Sequence, residues 1–93
     1  MKRAEILYAA KEIVSKNREQ DYGPPENNFT IIANLWNAYL GSNEITPEDV
    51  AIMMALLKIG RIKTGNGKAD NYIDLAGYAA CAGEIGSPAA RKD

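Results

Sequence analysis

The chain has 93 residues, a length for one domain with a modest core, and its 11 basic and 12 acidic residues leave a net charge of −1. That balance excludes nucleic-acid binding by bulk electrostatics, while 46% hydrophobic and 25% charged residues are ordinary for a globular protein. Histidine is absent, which removes Ser-His and Cys-His nucleophile pairs and histidine-containing zinc sites, and a single cysteine, Cys81, cannot close an internal disulfide.

The opening MKRAEILYAAKEIVSK is basic, but Glu5, Lys11 and Glu12 interrupt the apolar run that a signal peptide needs. No segment approaches the length of a membrane span. With the lone thiol, these features predict a cytosolic protein without membrane contact. Leu7, Ala10, Ile13 and Val14 recur at helical spacing and predict a first helix from Arg3 to Lys16. NREQDYGPPENN breaks that pattern, and Gly23, Pro24 and Pro25 enforce a turn. A second helix starts near Pro25 or Glu26, with Phe29, Ile32, Leu35, Trp36 and Tyr39 as its apolar stripe and Gly41 as a left-handed end.

The third helix has the clearest start. Thr46 is a good N-cap, Pro47 a good first residue, and Glu48 and Asp49 set negative charge against the positive helix end. Val50, Met53, Met54 and Leu57 follow, and the stretch is apolar nearly all round from Val50 to Leu57, which predicts a central helix. Lys58, Arg61 and Lys63 fall in its last turns. TGNGK reads as a connector, since it lacks P-loop spacing and follows no strand. A fourth helix runs from Asp70 to Glu84, rich in Ala and Gly, and ends at Gly86, Ser87 and Pro88. No stretch alternates with period two. The expectation is a single all-α domain over residues 1–86 with a flexible tail at 87–93, its four helices forming an antiparallel bundle or half of a bundle that oligomerisation completes.

Several polar groups carry chemistry. Asp70 and Asp74 share a helix face one turn apart, as metal-binding carboxylates in helical bundles do; equally, Asp70 caps the helix and Asp74 is solvated. Glu48 and Asp49 suit further metal ligands, although capping accounts for them. Lys58 and Arg61, at i and i+3, suit a phosphate or a pairing with Asp70 and Asp74 across the loop. Arg18 and Tyr22, just before the Gly-Pro-Pro turn, suit a ligand edge or a plain surface turn. Trp36 and Tyr39 suit core or interface, and Cys81 a packed small residue.

Three segments, REQDYGPPENNFTIIANLWNAYLG, ITPEDVAIMMALLKIGRIKTG and DNYIDLAGYAACAGE, together resemble a widespread family of small uncharacterised phage and prophage proteins, from Arg18 to Glu84. More distantly, the ending resembles the all-α nucleotide pyrophosphohydrolases of the MazG-like class. Those bind magnesium through a Glu-x-x-Glu pair on one helix and a Glu-x-x-Asp pair on a later one. The later pair maps onto Asn71 and Asp74 and the earlier one falls near Lys58 and Arg61, so three of four acids are missing and two positions hold cations. The resemblance implies a phage origin, the host cytosol, a MazG-like fold and a nucleotide or nucleotide-derived ligand. An enzyme would hold Mg2+ on Asp70 and Asp74, with Glu48 or Asp49 as further acids, to activate water against a phosphoanhydride. A binding protein would grip phosphate with Lys58 and Arg61, helped by Arg18 and Asn71, and stack a base on Tyr22 or Tyr78. A third class is an inhibitor that contacts a host protein through exposed aromatics.

Overall fold

A computed structural model describes residues 1–17, 25–65 and 67–87. Helix α1 spans Arg3–Glu12, α2 Pro25–Leu40, α3 Pro47–Thr64 and α4 Ala69–Gly86, with one π-helical turn at Ile13–Asn17 and no strand among the described residues. The all-α expectation agrees with this architecture. From Pro88 on, the expected tail lies outside the described residues, as does the Gly-Pro segment before Pro25.

The α1 helix opens with the Lys2 backbone N–H donating to Glu5 Oε1 at 2.8 Å. It does not stay α-helical to Lys16: the last turn widens to π at Ile13. Apolar spacing carries no signal for such a turn. Its consequence is local, since Ala10, Ile13 and Val14 all face one cavity against α4.

In α2, Phe29 is fully buried and Ala33 nearly so, with Ile32 and Trp36 packed at the core margin. The rest of the expected stripe is not core: Leu35 is 62% and Tyr39 90% exposed. Gly41 ends the helix at φ +66°, and the Ser42 N–H donates to Asn37 O at 2.9 Å, a left-handed termination that a side chain would strain. Asn37 then pins the connection. Its Nδ2 donates to Ile45 O and its Oδ1 accepts from the Ile45 N–H, both at 2.9 Å.

Thr46 caps α3 as its sequence predicts. The Asp49 N–H donates to Thr46 Oγ1 at 3.1 Å, and the Thr46 N–H donates to Asp49 Oδ2 at 3.0 Å, so two otherwise unsatisfied donors are met reciprocally. α3 is central in order, between α2 and α4, but among the described residues it is covered on one side. Val50, Ala51 and Ala55 are buried, whereas Ile52, Met53, Leu56, Leu57 and Ile59 are exposed. An all-round apolar pattern therefore marks here a helix with an uncovered face.

α4 starts at Ala69, with Lys68 at the N-cap and no side-chain cap. Asp70 is thus inside the first turn, not the cap expected of it. α4 packs closely on α3 and also against α1. Gly77 permits the second approach, because a Cβ there would sit 3.2 Å from Val14 Cγ1. The core gathers Phe29, Ala33, Val50, Ala51, Cys81 and Ala82, where α2 meets the start of α3 and the end of α4. The other end of the α3–α4 hairpin lies outside this core. No helix among the described residues is long and apolar enough to cross a membrane.

Candidate functional site

The turn end of the hairpin holds a polar cleft of about 560 Å³, lined by Lys58, Arg61, Thr64, Gly65, Lys68, Asp70, Asn71 and Asp74. Helical spacing explains the lining: Lys58, Arg61 and Thr64 repeat on the last turns of α3, and Asp70, Asn71 and Asp74 on the first turns of α4. The short connector folds one set onto the other. The Gly65 N–H donates to Arg61 O at 2.8 Å, and a Cβ at Gly65 would fall 2.7 Å from that same oxygen, so the chain turns here in a space that only glycine fits without movement.

Across the cleft floor, Lys58 Nζ meets Asp74 Oδ2 at 2.9 Å, with the lysine side chain 13% exposed and the carboxylate 35%. This pairing neutralises one cation. Arg61, Lys68 and Asp70 are exposed at the rim, which leaves two cations against one acid. The α4 N-terminus adds partial positive charge at the same place, since no side chain caps it. The Thr64 hydroxyl donates to Gly60 O at 3.0 Å and is already engaged.

Asp74 also lines a second, smaller cavity of about 120 Å³ with Ala10, Ile13, Val14, Ile73, Gly77, Tyr78 and Cys81. This one mixes apolar side chains with polar edges at Asp74 and Tyr78 and lies between α1 and α4. The Tyr78 ring is tilted 36° against Phe29 with centroids 6.3 Å apart, so the core orients it. Asp74 is the wall between a charged cleft and an aromatic-edged pocket.

Of the residues singled out from the sequence, the fold brings Lys58, Arg61, Asp70, Asn71 and Asp74 into one cleft and sets Tyr78 in the adjoining pocket. Glu48 and Asp49 are not with them. They sit at the other end of α3, ten and nine residues from Lys58, a rise of roughly 14–15 Å. Asp49 is held in the capping box, and Glu48 lies beside Gly86, where an added Cβ would collide with its carboxylate. The four-acid grouping is therefore corrected to one pair, Asp70 and Asp74. Among the described residues no three acidic or thiol groups converge as metal ligands. Arg18 and Tyr22 lie outside the described residues.

Lys68 and Thr64 line the cleft without having been singled out. Both border a segment whose sequence reads as a connector. The signal for Lys68 was its charge immediately before the α4 start, opposite Arg61 on the preceding helix.

The chain matches the family model described as a domain of unknown function, DUF6378, over residues 5–86. It is 50% identical to the Gene 55 protein of Mycobacterium phage L5 over 74 residues, covering 80% of this chain and 47% of that protein. It is 41% identical to the Gene 55 protein of Mycobacterium phage D29 over 80 residues, covering 86% of this chain and 52% of that protein. The chain thus spans about half the length of these phage relatives. No solved structure gives a significant match. With nearly its whole length inside the family model and phage proteins among its relatives, the chain belongs to the DUF6378 family.

Proposed function

We propose that this domain binds a nucleotide or nucleotide-derived ligand across Asp74 in the host cytosol, with phosphate in the α3–α4 cleft and the base in the Tyr78 pocket. The observation that carries the reading is the shared wall: one residue, Asp74, borders both a cation-rimmed cleft and the cavity edged by Tyr78. Arg61 and Lys68 are the phosphate grips, since Lys58 is held by Asp74. At about 120 Å³ the cavity is smaller than the dry one of about 150 Å³ known to take benzene, so a base would enter it only in part, against the Tyr78 edge. The resemblance to MazG-like pyrophosphohydrolases expected from the sequence would support the same place, because it puts the later metal pair on Asn71 and Asp74 and the earlier one near Lys58 and Arg61, and all four line this cleft.

The donor set bears on Mg2+. Two carboxylates one turn apart suit an ion that arrives with a ligand's phosphates, not one caged by protein alone. Asp70 and Asp74 would hold it, and it would supply charge neutralisation at the phosphates. Binding without turnover, as in sequestration, needs only Arg61, Lys68 and Tyr78.

The test is a thermal-shift panel of nucleotides with and without magnesium. A rise in melting temperature that survives chelator supports binding, and magnesium-dependent consumption of the nucleotide supports an enzyme. No shift with any nucleotide overturns the reading.

A second reading rests on a different observation, the exposed apolar side chains of α2 and α3. They suit protein contact, either with a second copy that completes the bundle or with a host protein that the domain inhibits.

A further inference from the structure

We infer that Lys58 is a further phosphate ligand of the cleft, held in reserve by Asp74, so that this carboxylate sets how tightly the cleft takes an anion. The inference rests on the phosphate reading proposed above and assigns its specificity-determining residue. Lys58 Nζ lies 2.9 Å from Asp74 Oδ2, and both side chains line the cleft. An ammonium carries several donors, and among the described residues Lys58 gives one to Asp74 and has no second partner. Its side chain is 13% exposed, whereas Arg61 and Lys68 are exposed at the rim. Water and salt screen a cation at that depth less than they screen the rim pair, so an anion bonded to Lys58 gains more from it than from either rim residue.

What stands against that contact is the charge of Asp74. The donors of an ammonium diverge tetrahedrally, so an anion oxygen bonded to Lys58 Nζ beside Asp74 falls roughly 5 Å from Oδ2. Like charges at that separation repel, which offsets the attraction to the lysine. Hydrogen bonding gives no relief. An ionised carboxylate has acceptors only, and so has a deprotonated phosphate oxygen, so Asp74 has nothing to offer the anion. Asp74 therefore has opposite effects on fold and ligand. As the counter-ion of a half-buried lysine it ties α4 to α3, and as a like charge it opposes phosphate at the cleft floor. A neutral side chain of the same shape would keep the wall and release the cation.

The experiment is a calorimetric titration of the 93-residue chain with inorganic pyrophosphate, in chelator so that no metal sits on the acids. The proteins compared are the parent, Asp74→Asn, Lys58→Met and the variant with both changes. Asn keeps the shape of Asp and an acceptor for Lys58, Met keeps most of the length of Lys, and an unchanged helical circular-dichroism signal shows that each variant is folded. The expected result is a Kd at least about fivefold lower in Asp74→Asn than in the parent. The same change made in the Lys58→Met background should give a clearly smaller gain. An equal gain in both backgrounds overturns the role of Lys58, since net charge alone then accounts for it. A Kd that is unchanged or higher in Asp74→Asn, beside a parent that binds, overturns the inference and leaves the phosphate reading standing. Absence of binding in all four proteins overturns the phosphate reading and this inference with it.

Discussion

Lys58 and Asp74 hold each other across the α3–α4 contact at 2.9 Å, and the cation is the more deeply buried of the two. Removing either partner is therefore not equivalent. Asp74→Ala leaves an ammonium with little water and no counter-charge, and costs about 1–2 kcal/mol after allowance for the solvent that reaches the pair. Lys58→Met fills similar space without charge and leaves a carboxylate that water can reach, so its cost is well under 1 kcal/mol. Urea unfolding of the two variants measures this order, and a larger loss for Lys58→Met would reverse the account.

Arg61→Ala and Lys68→Ala separate binding from folding. Both side chains are exposed, so each variant should stay within about 0.5 kcal/mol of the parent stability. Each should nonetheless reduce the thermal shift produced by a phosphorylated nucleotide, and the double variant should abolish it. The shift should also weaken with added salt, since rim charges are screened. A full shift in the double variant places the phosphate elsewhere.

The acids at the start of α3 stand apart from the cleft, and Asp49 caps the helix. Thr46→Ala should cost about 1 kcal/mol, because Asp49 N–H loses its acceptor. Glu48→Gln should leave any magnesium-dependent nucleotide response unchanged, whereas Asp70→Asn should diminish it. Thermal shifts measured over a magnesium titration distinguish the two, and a response lost in Glu48→Gln would bring the distant acid back into the site.

Asn37→Leu removes two hydrogen bonds at once. The Ile45 N–H and C=O then lie partly buried without partners, at a cost of about 1–3 kcal/mol. Asn37→Asp keeps an acceptor for the Ile45 N–H but loses the donor to its carbonyl, and should fall between. Melting temperatures of the three proteins test the order.

What the sequence made legible was local. The Thr46–Asp49 capping box, the Gly41 termination and the spacing of Lys58, Arg61, Asn71 and Asp74 each depend on residues within one or two turns, and helical geometry fixes those relationships without tertiary knowledge. Distance between elements is another matter. Glu48 and Asp49 share a residue type with Asp70 and Asp74, yet the antiparallel hairpin sets them at opposite ends. The place of Lys68 at the cleft arises only when α4 begins at Ala69 and the connector folds back on Arg61. The apolar run of α3 was ambiguous for a related reason: hydrophobicity on every side fits a helix covered on every side and equally one whose cover is another molecule. The π turn after Glu12 leaves no mark in the apolar spacing at all.

The Asn37 clamp has a bearing on how any two-chain assembly would be built. Bundles that join two copies can do so by exchange, in which a helix swings out about its connecting loop and takes its partner's place. Such exchange needs a hinge that opens cheaply. Here the loop between α2 and α3 is closed by a side chain that satisfies both backbone groups of Ile45, and straightening it breaks both bonds. Each α2 is therefore held to the α3 that follows it in its own chain, and any two-chain assembly would join that pair as a finished unit.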